Sequence, residues 1–357
     1  MLRQEVFSDT SGGALDRLYR ITEQSYAVVA LQPDSFRVDE TETRTTACDR
    51  AVSDEETDAR VSHRLVLETD DYGTPLRTVT IGYPRSGEDL DAEQEALHVV
   101  LSEVDVIHQD DQVVASTVWH IGLPARSRSW EVTDAPAWTA AAPPSIADVA
   151  LDLETAELRL LSEERTTYRN DSADEALTLG TVVLRALVYQ RTALVFPEAL
   201  LEELFDEAVG STELGEAGYL LDGDDVYLAS GRLRPNATAF YQPDRHTDPW
   251  GNVTELTWDA EALALTEVED AAGMTTTAAI DYQRMAPYQL TDANGTETVA
   301  TFDPLGRVLT TAIRNGADGD GEEEHSADFT YTTDTLPASV HARVLREHGG
   351  EDWEESW

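Results

Sequence analysis

Carboxylates are the most abundant groups in this sequence that could do chemistry. The 357 residues include 70 Asp and Glu against 25 Arg and no Lys, which gives a formal net charge of −45. A pair of carboxyl groups about 5 to 9 Å apart, one with a raised pKa, would suit glycoside hydrolysis. Because some pair among so many acids meets any spacing by chance, we favour a solvated acidic surface. A carboxylate-based hydrolase remains the least favoured function.

Other residue types with chemical potential form no recognised motif. The eight histidines make no H-E-x-x-H pattern, and the single cysteine, Cys48, allows neither a C-x-x-C pair nor an intramolecular disulfide. The acidic run 318–322 offers alternating oxygen ligands but lacks the Gly and Glu of an EF-hand at its sixth and twelfth positions. Ser230 lies outside any G-x-S-x-G frame. We therefore expect no metal, no cofactor and no catalytic residue, so the chain is not expected to be an enzyme.

Composition excludes two classes of partner. Nucleic acids and anionic lipids are bound through basic surfaces, which this chain lacks. No apolar run approaches the ~20 residues that span a bilayer, so we expect no direct membrane insertion. The 41% hydrophobic content indicates a folded protein rather than an acidic tail. Since molar salt reduces the Debye length to about 3 Å, so many surface carboxylates predict a salt-adapted organism, a halophile.

A turn-like pattern, D-x-x-G, recurs after residue 240. It occurs at Asp248–Gly251, Asp270–Gly273, Asp292–Gly295 and Asp303–Gly306, with starting positions 22, 22 and 11 residues apart. Asp259 and Asp281 occupy the missing multiples of eleven. Asp at the first position of a turn accepts backbone hydrogen bonds, and Gly at the fourth tolerates the closing conformation. We predict structural turn roles for these Asp and Gly residues and packing roles for the aromatic residues between them, Trp258, Tyr282 and Phe302.

The elements that would position these residues are mostly strands. Alternating hydrophobicity predicts strands over residues 18–22, 26–31, 61–68, 76–83, 97–108, 113–121 and 127–132. Helical spacing predicts helices over residues 145–160 and 197–209, and the Pro- and Ala-rich stretch 135–144 is the predicted boundary. After residue 240, a strand of roughly seven residues and a four-residue turn repeat as stacked hairpins. The predicted class is mainly β, with stacked antiparallel hairpins and a few short helices.

The repeats resemble those of the RHS/YD-repeat family. Its aromatic-Asp pair occurs here as Trp258-Asp259 and Phe302-Asp303, and its G-N or G-R step as Gly251-Asn252 and Gly306-Arg307. Asp281-Tyr282 inverts the order of the pair. The resemblance covers residues 240 to about 315.

A second resemblance extends over most of the chain. An ordered series of short segments is similar to the middle region of the B component of insecticidal Tc toxin complexes. The segments are Thr22–Tyr26, Leu31–Pro33, Arg60–His63, Asp71–Gly73, Gly82–Arg85, Gly122–Arg126, Trp130-Glu131, Gly218-Tyr219, Ser230–Arg232 and Asp248–Gly251. With both resemblances, the predicted domains are a B-component-like β region (1–140), a mixed region with short helices (141–238) and hairpin repeats (239–357).

The resemblance implies a structural function. In that family the B and C parts build a hollow shell of β-strands around a toxic C-terminal domain, so this chain is expected to supply non-enzymatic shell wall. Its expected partners are the other parts of a toxin complex: a propeller, the remaining shell and the toxin domain. The expected location is extracellular or secreted within that complex, although residues 1–7 lack a signal-peptide pattern. The alternative is an extracellular adhesion or carbohydrate-binding module, which exposed tryptophans on one face would indicate.

Overall fold

The structure is a computed structural model. It describes the chain outside a set of short gaps: residues 1–8, 17–48, 59–85, 90–109, 118–171, 174–205, 209–314, 325–334, 336–346 and 352–356. The acidic run 318–322 lies outside the described residues. Among the described helices, none combines the length and the apolar character needed to cross a membrane.

The chain divides into two compact units, Met1–Ser230 and Gly231–Trp357, and the described residues of each form one sheet of eleven strands. All strand pairs are antiparallel, and the structure confirms the predicted mainly β class with a few short helices. The predicted division at residues 140 and 238 stays a prediction.

In unit 1, neighbouring strands follow the chain except at the last two, where the order is β9-β11-β10. The strands are β1 (Leu2–Ser8), β2 (Arg17–Gln32), β3 (Ser35–Cys48), β4 (Ala59–Thr69), β5 (Pro75–Gly82), β6 (His98–Gln109), β7 (His120–Val132), β8 (Leu158–Tyr168), β9 (Val188–Phe196), β10 (Leu220–Asp222) and β11 (Asp225–Ala229). The helices are α1 (Ala92–Glu95), α2 (Ile146–Asp152), α3 (Glu198–Phe205) and α4 (Ser211–Glu216).

The core of unit 1 lies on the central strands. Leu65, Val79 and Leu101 occupy one cross-strand row and are at most 1% exposed. Helix α2 covers this row with Val149, which is fully buried. Ser145 begins the helix with a capping box that includes Asp148. Helix α2 therefore covers the central strands of unit 1, whereas apolar residues of β1 to β3, such as Val28 and Phe36, are exposed.

Unit 2 is a meander in which every strand pairs with its neighbours in the chain. Its strands are β12 (Arg232–Pro235), β13 (Pro243–Thr247), β14 (Val253–Trp258), β15 (Leu265–Glu269), β16 (Thr275–Asp281), β17 (Ala286–Thr291), β18 (Glu297–Phe302), β19 (Val308–Arg314), β20 (Ala327–Thr332), β21 (Ser339–Leu345) and β22 (Trp353–Ser356). Within the described part of unit 2, the only helical element is a 3₁₀ turn at Ala237–Ala239.

Two predicted strand boundaries in unit 1 are wrong. The segments 18–22 and 26–31 form one strand, β2, because a register shift between Ser25 and Tyr26 lets it continue. The segment 127–132 belongs to β7, which begins at His120 and passes through Gly122 and Pro124. These two residues normally interrupt a strand, but the register shifts between β6 and β7 accommodate them. Of the predicted strand 113–121, residues 113–117 lie outside the described part.

One predicted helix is shorter than expected, and residues 206–208 of the other lie outside the described part. The helix predicted over 145–160 ends at Asp152, and Leu158 already begins β8, whose side chains pack against neighbouring strands rather than along a helix. The helix predicted over 197–209 is described as Glu198–Phe205. Gly210, which directly follows the predicted segment, is the N-cap of helix α4, which the sequence did not predict.

Candidate functional site

Four turns of unit 2 share one hydrogen-bond arrangement. Asp248 Oδ1 accepts hydrogen bonds from the backbone N–H groups of Trp250 and Asn252, at 2.9 and 2.8 Å. The same bonds, to the second and fourth residues after the aspartate, occur at Asp270, Asp292 and Asp303. Each aspartate therefore satisfies two backbone donors that the sheet leaves unpaired.

The glycine of each turn is required by its backbone conformation. Gly251, Gly273, Gly295 and Gly306 have φ between 79° and 88°, and each donates its N–H to the carbonyl of the turn's aspartate. An L-residue at such a φ is strained. The other two positions of the eleven-residue spacing, Asp259 and Asp281, lead turns without glycine, where Ala262 and Met285 take the positive φ instead.

One matching turn lies in unit 1, where the sequence search for the repeat did not extend. Asp70 Oδ1 accepts from the N–H groups of Tyr72 and Thr74, and Gly73 has a φ of 93°. The sequence predicts this turn as the hairpin connection between the strands 61–68 and 76–83, with positive φ at Gly73. The turn chemistry is therefore common to both sheets.

The three aromatic residues predicted to pack differ in environment. Trp258 is half-buried and its indole N–H donates to the carbonyl of Pro243 at 2.7 Å. Phe302 is also half-buried at the end of β18. Tyr282 is 53% exposed, and its hydroxyl donates to Asp259 Oδ2 at 2.7 Å, so it links two turns rather than filling a core.

The register of unit 2 separates its residues onto two contrasting faces. Residues directly opposite each other in an antiparallel pair share a face, and so do alternate residues along a strand. We call one of them the apolar face; its members in β14 to β21 include Leu256, Val268, Ala278, Leu290, Ile313, Ala327, Phe329, Ala342 and Val344. The polar face carries Glu255, Glu267, Glu269, Gln289, Glu297, Arg314, Asp328, Arg343 and Glu355.

The apolar face is only partly shielded. Leu290 and Val344 are 41% and 47% exposed, and among the described residues of unit 2 no helix packs on this face. On the polar face, arginines pair with acids across strands, as in Arg245–Glu255 at 2.6 Å. Over β14 to β21 the apolar side can form an uncharged wall while the other side remains solvated; in β22, Glu354 lies opposite Val344 and so on the apolar side.

A buried polar group in unit 1 was missed by the motif search. His63 is fully buried; its Nε2 lies 2.8 Å from Glu42 Oε1 and its Nδ1 lies 2.9 Å from the Tyr83 hydroxyl. It joins two of the segments that carry the B-component resemblance, Arg60–His63 and Gly82–Arg85. The alternating polarity of β4 could have identified His63 as buried, because it occupies an inward-facing position between Val61 and the core residue Leu65.

Burial determines the charge states in this group. Burial lowers the pKa of His63 below 6.5, although the hydrogen bond and charge of Glu42 oppose the shift. Burial also raises the pKa of Tyr83 to about 12, against the effect of the nearby Arg44. A neutral imidazole that donates to Glu42 and accepts from Tyr83 satisfies both ring nitrogens, which indicates a structural role.

A buried carboxylate lies between β8 and β11. Glu163 is 5% exposed and bonds Arg165 at 2.6 Å and the hydroxyl of Tyr227 at 3.1 Å. The Arg165 guanidinium also bonds Asp222 and lies 4.3 Å from the centre of the Tyr227 ring. Both oxygens of this carboxylate are therefore engaged by neighbouring side chains.

The remaining chemical candidates are not brought together. Within the described ranges, no three His, Cys, Asp or Glu side chains form a group that could hold a metal ion. Cys48 is half-buried at the end of β3, and the other buried acid of the described residues, Asp303, pairs with Arg307 at 2.6 Å.

Comparison with known proteins finds similarity to components of insecticidal toxins. Residues 1–119 match the family model described as the insecticide toxin TcdB middle/C-terminal region. A search of curated proteins finds no match.

Several solved toxin structures contain the same fold. The TcdB2-TccC3 structure without its hypervariable C-terminal region matches 93% of this chain with a TM-score of 0.75 and 21% identity. TcdB2-TccC3 itself matches 95% with a TM-score of 0.74 and 20% identity. The Photorhabdus luminescens Tc holotoxin pore, with a TccC3 mutation, matches 92% with a TM-score of 0.74 and 22% identity.

This chain spans only 18%, 19% and 18% of those three chains, respectively. The match extends through both units, whereas the family model covers the first third of the chain. The chain thus resembles the TcdB-like middle region of insecticidal toxins, by the family model over residues 1–119 and by its fold over more than nine-tenths of its length.

Proposed function

We propose that this chain is a structural part of a Tc-like toxin complex and contributes wall to a β shell that encloses a toxin domain. The observation that carries the proposal is the two-faced sheet of unit 2. Over β14 to β21 its apolar face bears partly exposed Leu, Val, Ile and Phe side chains, and its polar face bears acids and arginines. A wall with an uncharged inner side and a solvated outer side has this distribution.

The chemistry of the described groups supports a structural rather than an enzymatic function. Glu163 and Asp303 pair with arginines, and His63 is held neutral between two partners. In the enclosing arrangement, the partners are the other parts of the complex: the propeller, the remaining shell and the toxin domain. The location that follows is extracellular, within that complex.

The alternative of a carbohydrate-binding or adhesion module receives less support. Its predicted signal was a set of exposed tryptophans on one face. The strongly exposed Trp119 and Trp250 belong to different units, one before β7 and the other in a turn of unit 2.

The test is cysteine labelling in the native complex, purified through a tag on this chain in a Cys48→Ser background. Leu290→Cys reports on the apolar face and its neighbour Gln289→Cys on the polar face. We expect a membrane-impermeant maleimide to label Gln289→Cys and to leave Leu290→Cys unlabelled until the complex is opened with denaturant. Equal labelling of both positions in the intact complex would contradict an enclosing wall.

A further inference from the structure

Four pairs of neighbouring strands in unit 2 are bonded along only part of their length. We call these pairs the seams; they are β13–β14, β15–β16, β17–β18 and β19–β20. Each seam has two or three residue pairs, all near the connection that joins its two strands. In β15–β16 they run from Glu269 opposite Thr275 to Glu267 opposite Thr277. Toward the other end of the sheet, the described residues of the two seam strands are not paired with each other.

The hairpins that alternate with the seams are paired more fully. β12–β13, β14–β15, β16–β17 and β18–β19 have four, four, five and six residue pairs, respectively. Because consecutive strands are antiparallel, the turns that close these hairpins all lie at one end of the sheet. We call it the latched end, and its turns are 236–242, 259–264, 282–285 and 303–307. The unpaired part of every seam therefore opens toward the latched end.

A long polar side chain bridges each seam at its open end. The four hydrogen bonds join residues 15 to 23 positions apart in the chain. They are Trp258 Nε1 to the Pro243 carbonyl at 2.7 Å, the Tyr282 hydroxyl to Asp259 Oδ2 at 2.7 Å, Arg284 Nε to the Asp303 carbonyl at 3.0 Å, and the Tyr331 hydroxyl to the Val308 carbonyl at 3.0 Å. In chain order they bridge β13–β14, β15–β16, β17–β18 and β19–β20, so every seam has its own bridge.

Two turns at the opposite end of the sheet are closed within themselves. Asp270 Oδ1 accepts from the N–H groups of Ala272 and Met274, and Asp292 Oδ1 bonds its own turn in the same way. Among the described residues, neither aspartate side chain bonds a neighbouring turn. Bridging is thus not a general property of the turns in this sheet, and it occurs where a seam is unpaired.

The bridge from Tyr282 to Asp259 shows what such a bond contributes. The hydrogen bond from Tyr282 lowers the pKa of Asp259, and the same bond raises the pKa of Tyr282 above its usual range. At neutral pH the donor therefore keeps its proton and the acceptor keeps its charge, which makes the bond charge-assisted. Because the Tyr282 side chain is 53% exposed, its main contribution to the sheet is this bond rather than apolar burial.

We propose that Trp258, Tyr282, Arg284 and Tyr331 are latches, each of which holds one seam of the unit 2 sheet closed, and that a seam opens at the latched end while the hairpins on both sides of it stay paired. Local opening has a low free energy where few backbone bonds must break, and two or three residue pairs hold each seam. The sheet can then widen at the latched end, one seam at a time, without losing its strand order. This inference does not depend on the shell proposal.

The test is hydrogen–deuterium exchange of the full chain in about 2 M KCl, read by mass spectrometry of its peptides. Tyr282→Phe keeps the ring and removes the latch of β15–β16. We expect exchange of the seam-bonded N–H groups in 267–269 and 275–277 to accelerate about fivefold, the effect of losing one net hydrogen bond on a local opening. Exchange in β13–β14 and β19–β20 should not change. Tyr331→Phe should show the complementary pattern, with faster exchange in 310–311 and 327–328 alone.

Tyr288→Phe is the matched control. Tyr288 lies on β17, and among the described residues its hydroxyl has no bonding partner, so its loss should leave exchange in every seam unchanged. Asp259→Asn keeps an oxygen that can accept from Tyr282 and should accelerate exchange in β15–β16 less than Tyr282→Phe does. Unchanged exchange in Tyr282→Phe would overturn the proposal. Acceleration spread equally over all seams would also overturn it, because it would show a general loss of stability, and so would equal effects of Tyr282→Phe and Tyr288→Phe.

Discussion

Replacing Gly295 tests the physical basis of the repeated turns. Gly295 has a φ of 79°, and an added Cβ would meet no atom within 4 Å. The cost of a side chain there is therefore conformational and not steric. An L-residue in the left-handed region costs about 1–2 kcal/mol, and Gly→Ala recovers about 0.4–1 kcal/mol by restricting the unfolded chain. Gly295→Ala should lower the free energy of unfolding by about 1 kcal/mol.

Gly295→Val should lower the free energy of unfolding by about 2 kcal/mol or more, because a β-branched residue is a stronger outlier at positive φ. At about 4 °C per kcal/mol for a unit of this size, the melting temperature of unit 2 should fall by about 4 °C for Ala and about 8 °C for Val. The assay is thermal unfolding in about 2 M KCl, followed by tryptophan fluorescence and circular dichroism.

Two variants serve as controls for Gly295. Asn294→Ala, in the same turn, keeps the backbone N–H that Asp292 accepts and should change stability by less than about 0.5 kcal/mol. Gly215→Ala, in helix α4 with open space around its Cβ, should stabilise the helix by up to about 1 kcal/mol. An unchanged melting temperature for Gly295→Val, or an equal loss for Asn294→Ala, would refute the reasoning.

Three further predictions concern charge and hydrogen bonding. Asp292→Ala removes the acceptor of two backbone N–H groups and should lower the free energy of unfolding by about 1–2 kcal/mol. Asp292→Asn keeps one side-chain oxygen and should lower it by less. Urea unfolding measures the free energy of unfolding of both variants. Glu269 lies directly opposite Glu255, so the two carboxylates repel each other and salt screens this repulsion. Glu269→Gln should therefore raise the melting temperature in low salt and have little effect in about 2 M KCl. Equal gains in melting temperature at both salt concentrations would contradict this. Burial lowers the pKa of His63 in the folded state below its unfolded value of 6.5, so the unfolded state binds more protons at acid pH and stability should fall as the pH drops below about 6.5. His63→Gln should flatten this pH dependence in urea titrations between pH 5 and 8, and an unchanged slope would show that other groups cause it.

Local patterns predicted the hairpins well because the interactions that form them are local. The hairpin of β4 and β5 follows from alternation on both sides of Asp70–Gly73, and the capping Asp and positive-φ Gly lie within four residues of each other. The same locality explains the turns from Asp248 to Gly306. Strand continuity through Gly122 and Pro124 was not predictable, because partner strands supply the register shifts that permit it.

The contact between His63, Glu42 and Tyr83 shows the limit of sequence reasoning for the site. The three residues lie on or just after three different strands, and only the pairing of β3, β4 and β5 brings them together. Ala262 and Met285 hold positive φ without being glycine, so the turns at Asp259 and Asp281 departed from the D-x-x-G pattern.

The most direct test of the proposed wall is cryo-electron microscopy of the complex purified from its native source through a tag on this chain. The account predicts a hollow particle in which Leu256, Val268 and Leu290 face the enclosed space and Glu255, Glu267 and Glu269 face the solvent. A particle in which these acids line the interior, or one in which the apolar face packs against a solid core with no enclosed space, would contradict it.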